Sequence, residues 1–229
     1  MSLNVLEKIQ KQKKNIFFKK EKIKLNKTKD WIFSNEIKHT TGKFFKIFGY
    51  MVKTNFPKKR FYYQPLILQD EIGYLAIFKS IKKNKTYFLL QLKAEPGNKN
   101  LIQLSPTIQA TKSNYLRVHK GKKTKFIEFT KNTNNFLLNS NQPEQGSKYL
   151  NKYNKNLIIK TRKFKNLPKN FIWLSIKEII ELSKKNNILN MDTISIFSCY
   201  LKTEPSNTSI NSFKYLEKKY SDFKKKYKI

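Results

Sequence analysis

Between residues 86 and 111 polar and apolar side chains alternate in two successive runs, and this alternation restricts the chain to folds built on a sheet. In the first run Gln91, Lys93 and Glu95 fall on one side and Leu90, Leu92 and Ala94 on the other. In the second, Gln103, Ser105, Thr107, Gln109 and Thr111 share one face and Ile102, Leu104, Ile108 and Ala110 the opposite one, because successive side chains of an extended chain point to opposite sides. Glu95-Pro-Gly-Asn98 joins the runs as a tight turn, with a positive φ expected at Gly97. A half-solvated antiparallel pair would alternate in the same way. The kind of polar residue separates the two readings. Exposed faces in this chain are written in lysine, whereas this face is mostly Gln, Ser and Thr, which both donate and accept hydrogen bonds. Such a face suits a polar, uncharged ligand such as a sugar, with Lys93 and Glu95 supplying charge and proton transfer.

The rest of the chain arranges itself around that stretch. Residues 2–20 read as a basic amphipathic helix, with Ser2 as N-cap and Leu3, Leu6 and Ile9 on the side that docks onto the body or onto a partner subunit. Residues 23–29 dissolve into Lys and Asn and read as a linker. The expected division is therefore a helix and linker over 1–29, one module over 30–200, and a basic, helical tail over 201–229. Within the module, 39–49 reads as a turn and a buried strand, and 64–78 as two strands meeting at 69–73. Residues 122–129 read as a further strand, 132–141 as a loop and 143–146 as a turn, while 150–170 is a Lys/Asn segment without a clear pattern. Ser175 and Glu178 form a capping box for a helix over 176–185. Asp192 either caps a helix running to Tyr200 or faces a ligand. All six glycines lie between Gly42 and Gly146, which places the tightly built part of the fold there. The whole pattern is α+β.

Composition limits the function. A net charge of +34 points to an anionic partner, yet all but three of the 49 basic residues, Arg60, Arg117 and Arg162, are lysine. Lys, Asn and Ile share AT-rich codons, and nucleic-acid-reading surfaces favour the bidentate guanidinium. The charge therefore argues weakly for a nucleic-acid-binding protein and equally well for a nucleotide diphosphate. The single cysteine, Cys199, excludes an intrachain disulfide and any cysteine-cluster metal site. No apolar run reaches the roughly 18 residues of a membrane span, and no secretory leader pattern opens the chain, so no membrane partner and a cytoplasmic location are expected. There is no Gly-rich phosphate loop and no His/Asp/Glu spacing that would make a metal site.

From Trp31 onward the order of motifs resembles the NDP-hexose 2,3-dehydratase family of deoxysugar biosynthesis. The resemblance rests on His39-Thr-Thr-Gly42, on Gln64-Pro-Leu-Ile-Leu-Gln69 with Glu71-Ile-Gly73, and above all on Gln91-Leu-Lys-Ala-Glu-Pro-Gly-Asn98 and the run from Gln103 to Tyr115 with His119. It continues through Glu144-Gln-Gly146, Phe171-Ile-Trp173 and Asn190-Met-Asp192. It implies a Nudix-like mixed β-sheet flanked by helices, without the Nudix metal box. Members carry two such modules in one chain, so a single module implies either a homodimer or a nucleotide-sugar-binding module without catalysis. The implied reaction eliminates water from a nucleotide-linked 4-keto-6-deoxyhexose, such as dTDP-4-keto-6-deoxyglucose. It needs no cofactor, because the substrate's own ketone is the electron sink.

The resemblance and the residue chemistry together make Glu95, Tyr115 and His119 candidates for proton transfer and Lys93 a candidate for holding the enolate oxygen. Gln91, Asn98, Gln103, Ser105, Thr107, Gln109, Thr111, Ser113 and Asn114 are candidates for the sugar hydroxyls and phosphate oxygens, with Arg117 for the diphosphate. His39, Glu144, Gln145 and Asp192 complete the expected substrate contacts.

Overall fold

The computed structural model describes residues 2–115 and 123–200, so Arg117, His119 and the tail over 201–229 lie outside the described residues. Helix α1 (Ser2–Asn15) ends five residues earlier than expected and docks on the body through Val5 and Ile9, both almost fully buried. Two sheets follow. The first is five-stranded, β1 (Trp31–Phe33), β2 (Ile37–His39), β3 (Lys46–Thr54), β4 (Arg60–Leu68) and β10 (Tyr149–Leu150), paired in that order. Leu66 is its only buried residue. The expected buried strand after Gly42 is thus a half-exposed one. On one face of the β3–β4 hairpin Met51 stands opposite Tyr63, beside Phe61, and all three are exposed.

The second sheet holds the core. Its path is β12 (Phe171–Ser175), β6 (Lys85–Ala94), β5 (Gly73–Lys82), β11 (Tyr153–Lys160) and β9 (Phe136–Pro143), with β7 (Ile102–Pro106) on β6 and β8 (Ile108–Ala110) on β5. Strand β5 turns into β6 through Lys83 and Asn84, both at positive φ, the twist a two-residue hairpin requires. Strand β11 runs parallel to β5, and Leu157, Ile158 and Ile159 are fully buried, as expected of a parallel strand covered on both faces. The one-turn helix α2 (Lys112–Tyr115) follows β8, and one face of the sheet packs Leu75, Ile77, Leu90 and Ile158 against α1, α3 (Ile176–Ser183) and α4 (Met191–Tyr200). The other packs Ala76, Phe78, Leu89 and Leu157 against Phe126, Phe129, Phe164 and Trp173. The chain is α+β, as expected.

The two alternating runs do not stay in one register. Ile102 and Leu104 enter the helix-covered core, whereas Ile108 and Ala110 enter the aromatic one. The change of side occurs at Pro106-Thr107, where β5 and β6 splay apart and β7–β8 enters between them. The Thr107 hydroxyl sits in that fork. It accepts from Phe78 N at 3.1 Å and donates to Leu89 O, bridging the last residue pair before the strands separate.

Other expectations need correction. Asn98 N donates to Glu95 O, so the turn forms, but Gly97 is not at positive φ and Leu101 is. The strand expected over 122–129 is absent among the described residues, which form a short 3-10 helix over Ile127–Lys131. The expected loop is β9, and the patternless Lys/Asn segment contains β11, because its apolar run is only three residues long and its flanking asparagines face a cleft. Helix α3 has both hydrogen bonds of the capping box at Ser175 and Glu178. Asn190, not Asp192, caps α4, with Oδ1 accepting from Thr193 N at 2.9 Å. No helix among the described residues is long and apolar enough to cross a membrane.

Candidate active site

Acidic side chains are scarce in this chain, and the β5 end nearest Gly73 collects several of them. Two adjoining hollows of about 230 Å³ and 370 Å³ share Leu75, Glu144, Asn154 and Asp192 as walls. Lys93, Glu95, Gln109 and Lys152 line the first, and Gln145, Tyr149, Asn156 and Ser195 the second.

Each wall is set by its element. Lys93 is the penultimate residue of β6 and Glu95 follows the strand, an ion pair at 2.9 Å with both side chains about one-third exposed. Gln109 enters from β8, on the helix-facing side because of the change of register at Pro106. Its Nε2 donates to Glu95 Oε1 at 3.1 Å, and its Oε1 accepts from Asn190 Nδ2 at 3.2 Å. The same asparagine that caps α4 therefore ties the cap to the Glu95 carboxylate. The first turn of α4 then carries Asp192 into the cleft.

The opposite wall is built on Gly73. Its N–H donates to Asn154 Oδ1 at 3.2 Å, and a Cβ at this position would meet that oxygen at 2.7 Å, so only glycine permits the approach. Asn154 Nδ2 donates in turn to Glu144 Oε1 at 2.6 Å. Beside it Lys152 lines the hollow from a buried position and donates to the backbone oxygen of Glu71. The Glu71 carboxylate accepts from Ser113 N and Oγ at 3.0 and 2.7 Å, and Ser113 Oγ lies 3.2 Å from Thr111 Oγ1.

The electrostatics follow from this crowding. Burial, then the neighbouring Glu144 and Glu95, push the Asp192 carboxyl up to about 6, and Lys93 only partly offsets them. Burial lowers the Lys152 ammonium against the pull of Glu144, Glu71 and Asp70. Tyr149 is raised by burial, Glu144 and Asp192. Asn156 donates to Ser195 Oγ at 2.9 Å, but its fully buried Oδ1 has no protein partner among the described residues. A buried acceptor of this kind is satisfied by a ligand or water donor. The cleft can therefore hold hydroxyls by neutral amides, move a proton at Asp192 and place two ammonium groups beside a developing negative charge. Among the described residues no three His, Cys, Asp or Glu side chains are grouped to hold a metal ion.

Of the residues expected from sequence, Lys93, Glu95, Gln109, Thr111, Asn114, Glu144, Gln145 and Asp192 line the cleft. Ser113 stands behind it, on Glu71. Gln91 donates to Pro106 O, Gln103 to Asn187 O and Asn98 to Leu101 O, all backbone oxygens. Ser105 is fully buried without a partner among the described residues, and Thr107 closes the strand fork. Tyr115 packs beside Tyr74 toward the aromatic core, where burial, Tyr74 and Glu71 raise its hydroxyl. His39 lies in the five-stranded sheet, its Nδ1 2.9 Å from Thr41 Oγ1 and its ring against Trp31 and Phe44. Gln69, Lys152, Asn154 and Asn156 were not expected. The signal for the asparagines was the alternation Asn154, Asn156 leading into Leu157-Ile-Ile159.

The sequence profile described as NDP-hexose 2,3-dehydratase matches residues 3–200. A dTDP-4-dehydro-6-deoxy-alpha-D-glucopyranose 2,3-dehydratase of Saccharopolyspora spinosa is 33% identical over 187 residues, covering 80% of this chain and 38% of the relative. Enzymes of the same name from Amycolatopsis orientalis and Streptomyces violaceoruber are 36% and 33% identical, with 41% and 40% of their lengths covered. The chain thus spans about two fifths of the length of the curated relatives it matches.

Proposed function

The chain belongs to the NDP-hexose 2,3-dehydratase family, and on that premise we propose that it is a cytoplasmic lyase acting on a dTDP-linked 4-keto-6-deoxyhexose. The observation that carries the proposal is the cleft itself. In a chain of net charge +34 with only 15 acidic residues, Glu95, Glu144 and Asp192 share one hollow with two lysines and a set of neutral amides.

The proposed chemistry uses these groups in order. The C4 ketone acidifies the C3 hydrogen, and Glu95, positioned by Lys93 and Gln109, takes that proton. The electron pair moves onto the C4 oxygen as an enolate, which Lys93 stabilises by charge. Asp192, whose carboxyl holds a proton up to about pH 6, gives it to the C2 hydroxyl, which leaves as water as the enolate collapses to a C2–C3 double bond. The resulting enol at C3 tautomerises to the 3,4-diketo-2,6-dideoxy sugar. Asn154, Asn156 and Gln109 hold hydroxyls, and Glu144 keeps Asn154 in place. The 4-keto group is the electron sink throughout.

The test is incubation of the purified protein with dTDP-4-keto-6-deoxyglucose and a 3-ketoreductase that traps the labile product. A 2-deoxy sugar is expected. Its absence at high enzyme concentration, with the nucleotide sugar still bound, would instead identify a binding module.

We also propose that the active form is a homodimer. The five-stranded sheet supports this reading, since its β3–β4 face exposes Met51, Phe61 and Tyr63 over an almost coreless sheet. Two copies would also supply the pair of modules that the resemblance implies. Sedimentation at micromolar concentration is expected to give a dimer, and Tyr63→Asp a monomer. An active wild-type monomer would dismiss the dimer.

A further inference from the structure

The largest cavity among the described pockets, about 700 Å³, lies at the other end of the seven-stranded sheet and has no part in the proposed reaction. Its walls come from the end of β5 and from the chain leaving β11. Lys79 is six residues along β5 from Gly73, so the two sites are separated by roughly 20 Å at the rise of an extended strand.

We propose that this cavity is a second ligand site, built for an oligophosphate anion. Lys79, Lys82, Lys160, Arg162, Lys163 and Lys165 line it, and no acidic side chain does so among the described residues. Lysine abundance alone does not explain such a wall, because the catalytic cleft in the same chain pairs its lysines with carboxylates. Nor does it explain Arg162, one of three arginines, whose planar fork fits two phosphate oxygens.

The cations are also held in place. Lys79 is 8% exposed, and its ammonium donates to the Tyr200 hydroxyl. Lys163 lies over the Tyr87 ring at 3.8 Å and 6.0 Å from the Trp173 ring. Burial lowers the Lys163 ammonium, and the like charge of Lys82 lowers it further. The carboxylate opposing that shift, Glu178, already accepts from Ser175 N and Oγ in the cap of α3. An anion between Lys82 and Lys163 would relieve that repulsion. Thr161 Oγ1, buried and unpartnered among the described residues, marks polar hydrogen-bonding capacity in the same wall. The volume lies in the range of small-molecule sites, and Leu137, Ile81 and Phe164 give the cavity apolar sides. A half-open hollow of this size, with apolar sides, suits a compact anion better than a nucleic-acid strand, which tracks along an extended groove with stacking platforms.

Inorganic tripolyphosphate is the first probe, titrated by calorimetry at about 0.15 M salt to screen long-range attraction. Saturable binding of one ion per chain is expected, with a change in Trp173 fluorescence in a Trp31→Phe background. The Lys82→Ala/Arg162→Ala double variant, both positions exposed, should weaken binding at least about tenfold, the loss of charge-assisted contacts. Lys43→Ala/Lys58→Ala removes the same charge from exposed positions elsewhere and should change affinity less than about twofold, as expected of distant surface charges. Equal losses in the two double variants would mean attraction by net charge alone and would overturn the site. So would the absence of saturable binding, or preference for a short oligonucleotide over tripolyphosphate at the same residues. A nucleoside triphosphate arm distinguishes the source of the phosphates, since tighter binding than free tripolyphosphate assigns the site to a nucleotide.

Discussion

Replacing Asp192 by Asn is expected to lower turnover at least about 10²-fold, the scale of losing a general acid, while making the folded protein more stable at neutral pH. Opposite signs arise from one cause. The carboxyl is pushed from 3.8 to about 6 by burial and by Glu144 and Glu95, so above that value the folded state carries a charge it holds unfavourably. The folded protein binds the proton more tightly than the unfolded chain, so this group's contribution to stability is complete below about pH 4 and is lost as pH rises through 6. A shift of that size, discounted for partial solvent screening, corresponds to about 1–2 kcal/mol. Thermal unfolding at pH 7.5 should therefore favour the Asn variant, and the difference should vanish near pH 4. Unchanged turnover would remove Asp192 from the mechanism, and a less stable variant at pH 7.5 would contradict the electrostatic account.

Thr107→Val is expected to cost about 2–3 kcal/mol, because the isosteric side chain leaves the Phe78 N–H and Leu89 C=O without a partner between fully buried residues. For a chain of this length that is roughly a 5–10 °C drop in melting midpoint. Ligand affinity of the folded fraction should be unchanged, since the hydroxyl is engaged in the strand fork. A weakened substrate affinity at wild-type stability would return Thr107 to the ligand face on which its alternation first placed it.

These two residues show what the amino-acid sequence disclosed and what it hid. Alternation located the strands that carry Lys93 and Gln109, the first leading directly into Glu95, and the capping box located α3, because both signals are local. The change of side at Pro106-Thr107 was hidden, since nothing local distinguishes a strand that stays in its sheet from one that enters a fork. Gln103, Ser105 and Thr107 therefore read as continuous with Gln109, although Gln103 and Thr107 hydrogen-bond elsewhere and Ser105 is buried without a partner among the described residues. Strand β11 was hidden for a compositional reason. Lys152, Asn154 and Asn156 look like the Lys/Asn drift seen throughout the chain, and only their burial beside Gly73 and Glu144 distinguishes them. Asp192 was placed with its choice open, and the choice turned on Asn190 two residues earlier taking the cap.

The Gly73–Asn154 contact has a kinetic consequence. It joins residues 81 positions apart, and the parallel pairing of β5 with β11 spans the same separation. Closing so long a loop is slow and yields no contacts until it is complete, unlike the β5–β6 hairpin, which needs two turn residues. On a ribosome the hairpin is complete at Ala94, and Asn154 follows about sixty residues later, with Asp192 later still. The cleft is therefore assembled at the end of folding, and any ligand of the cleft would select chains in which β5 and β11 have already paired.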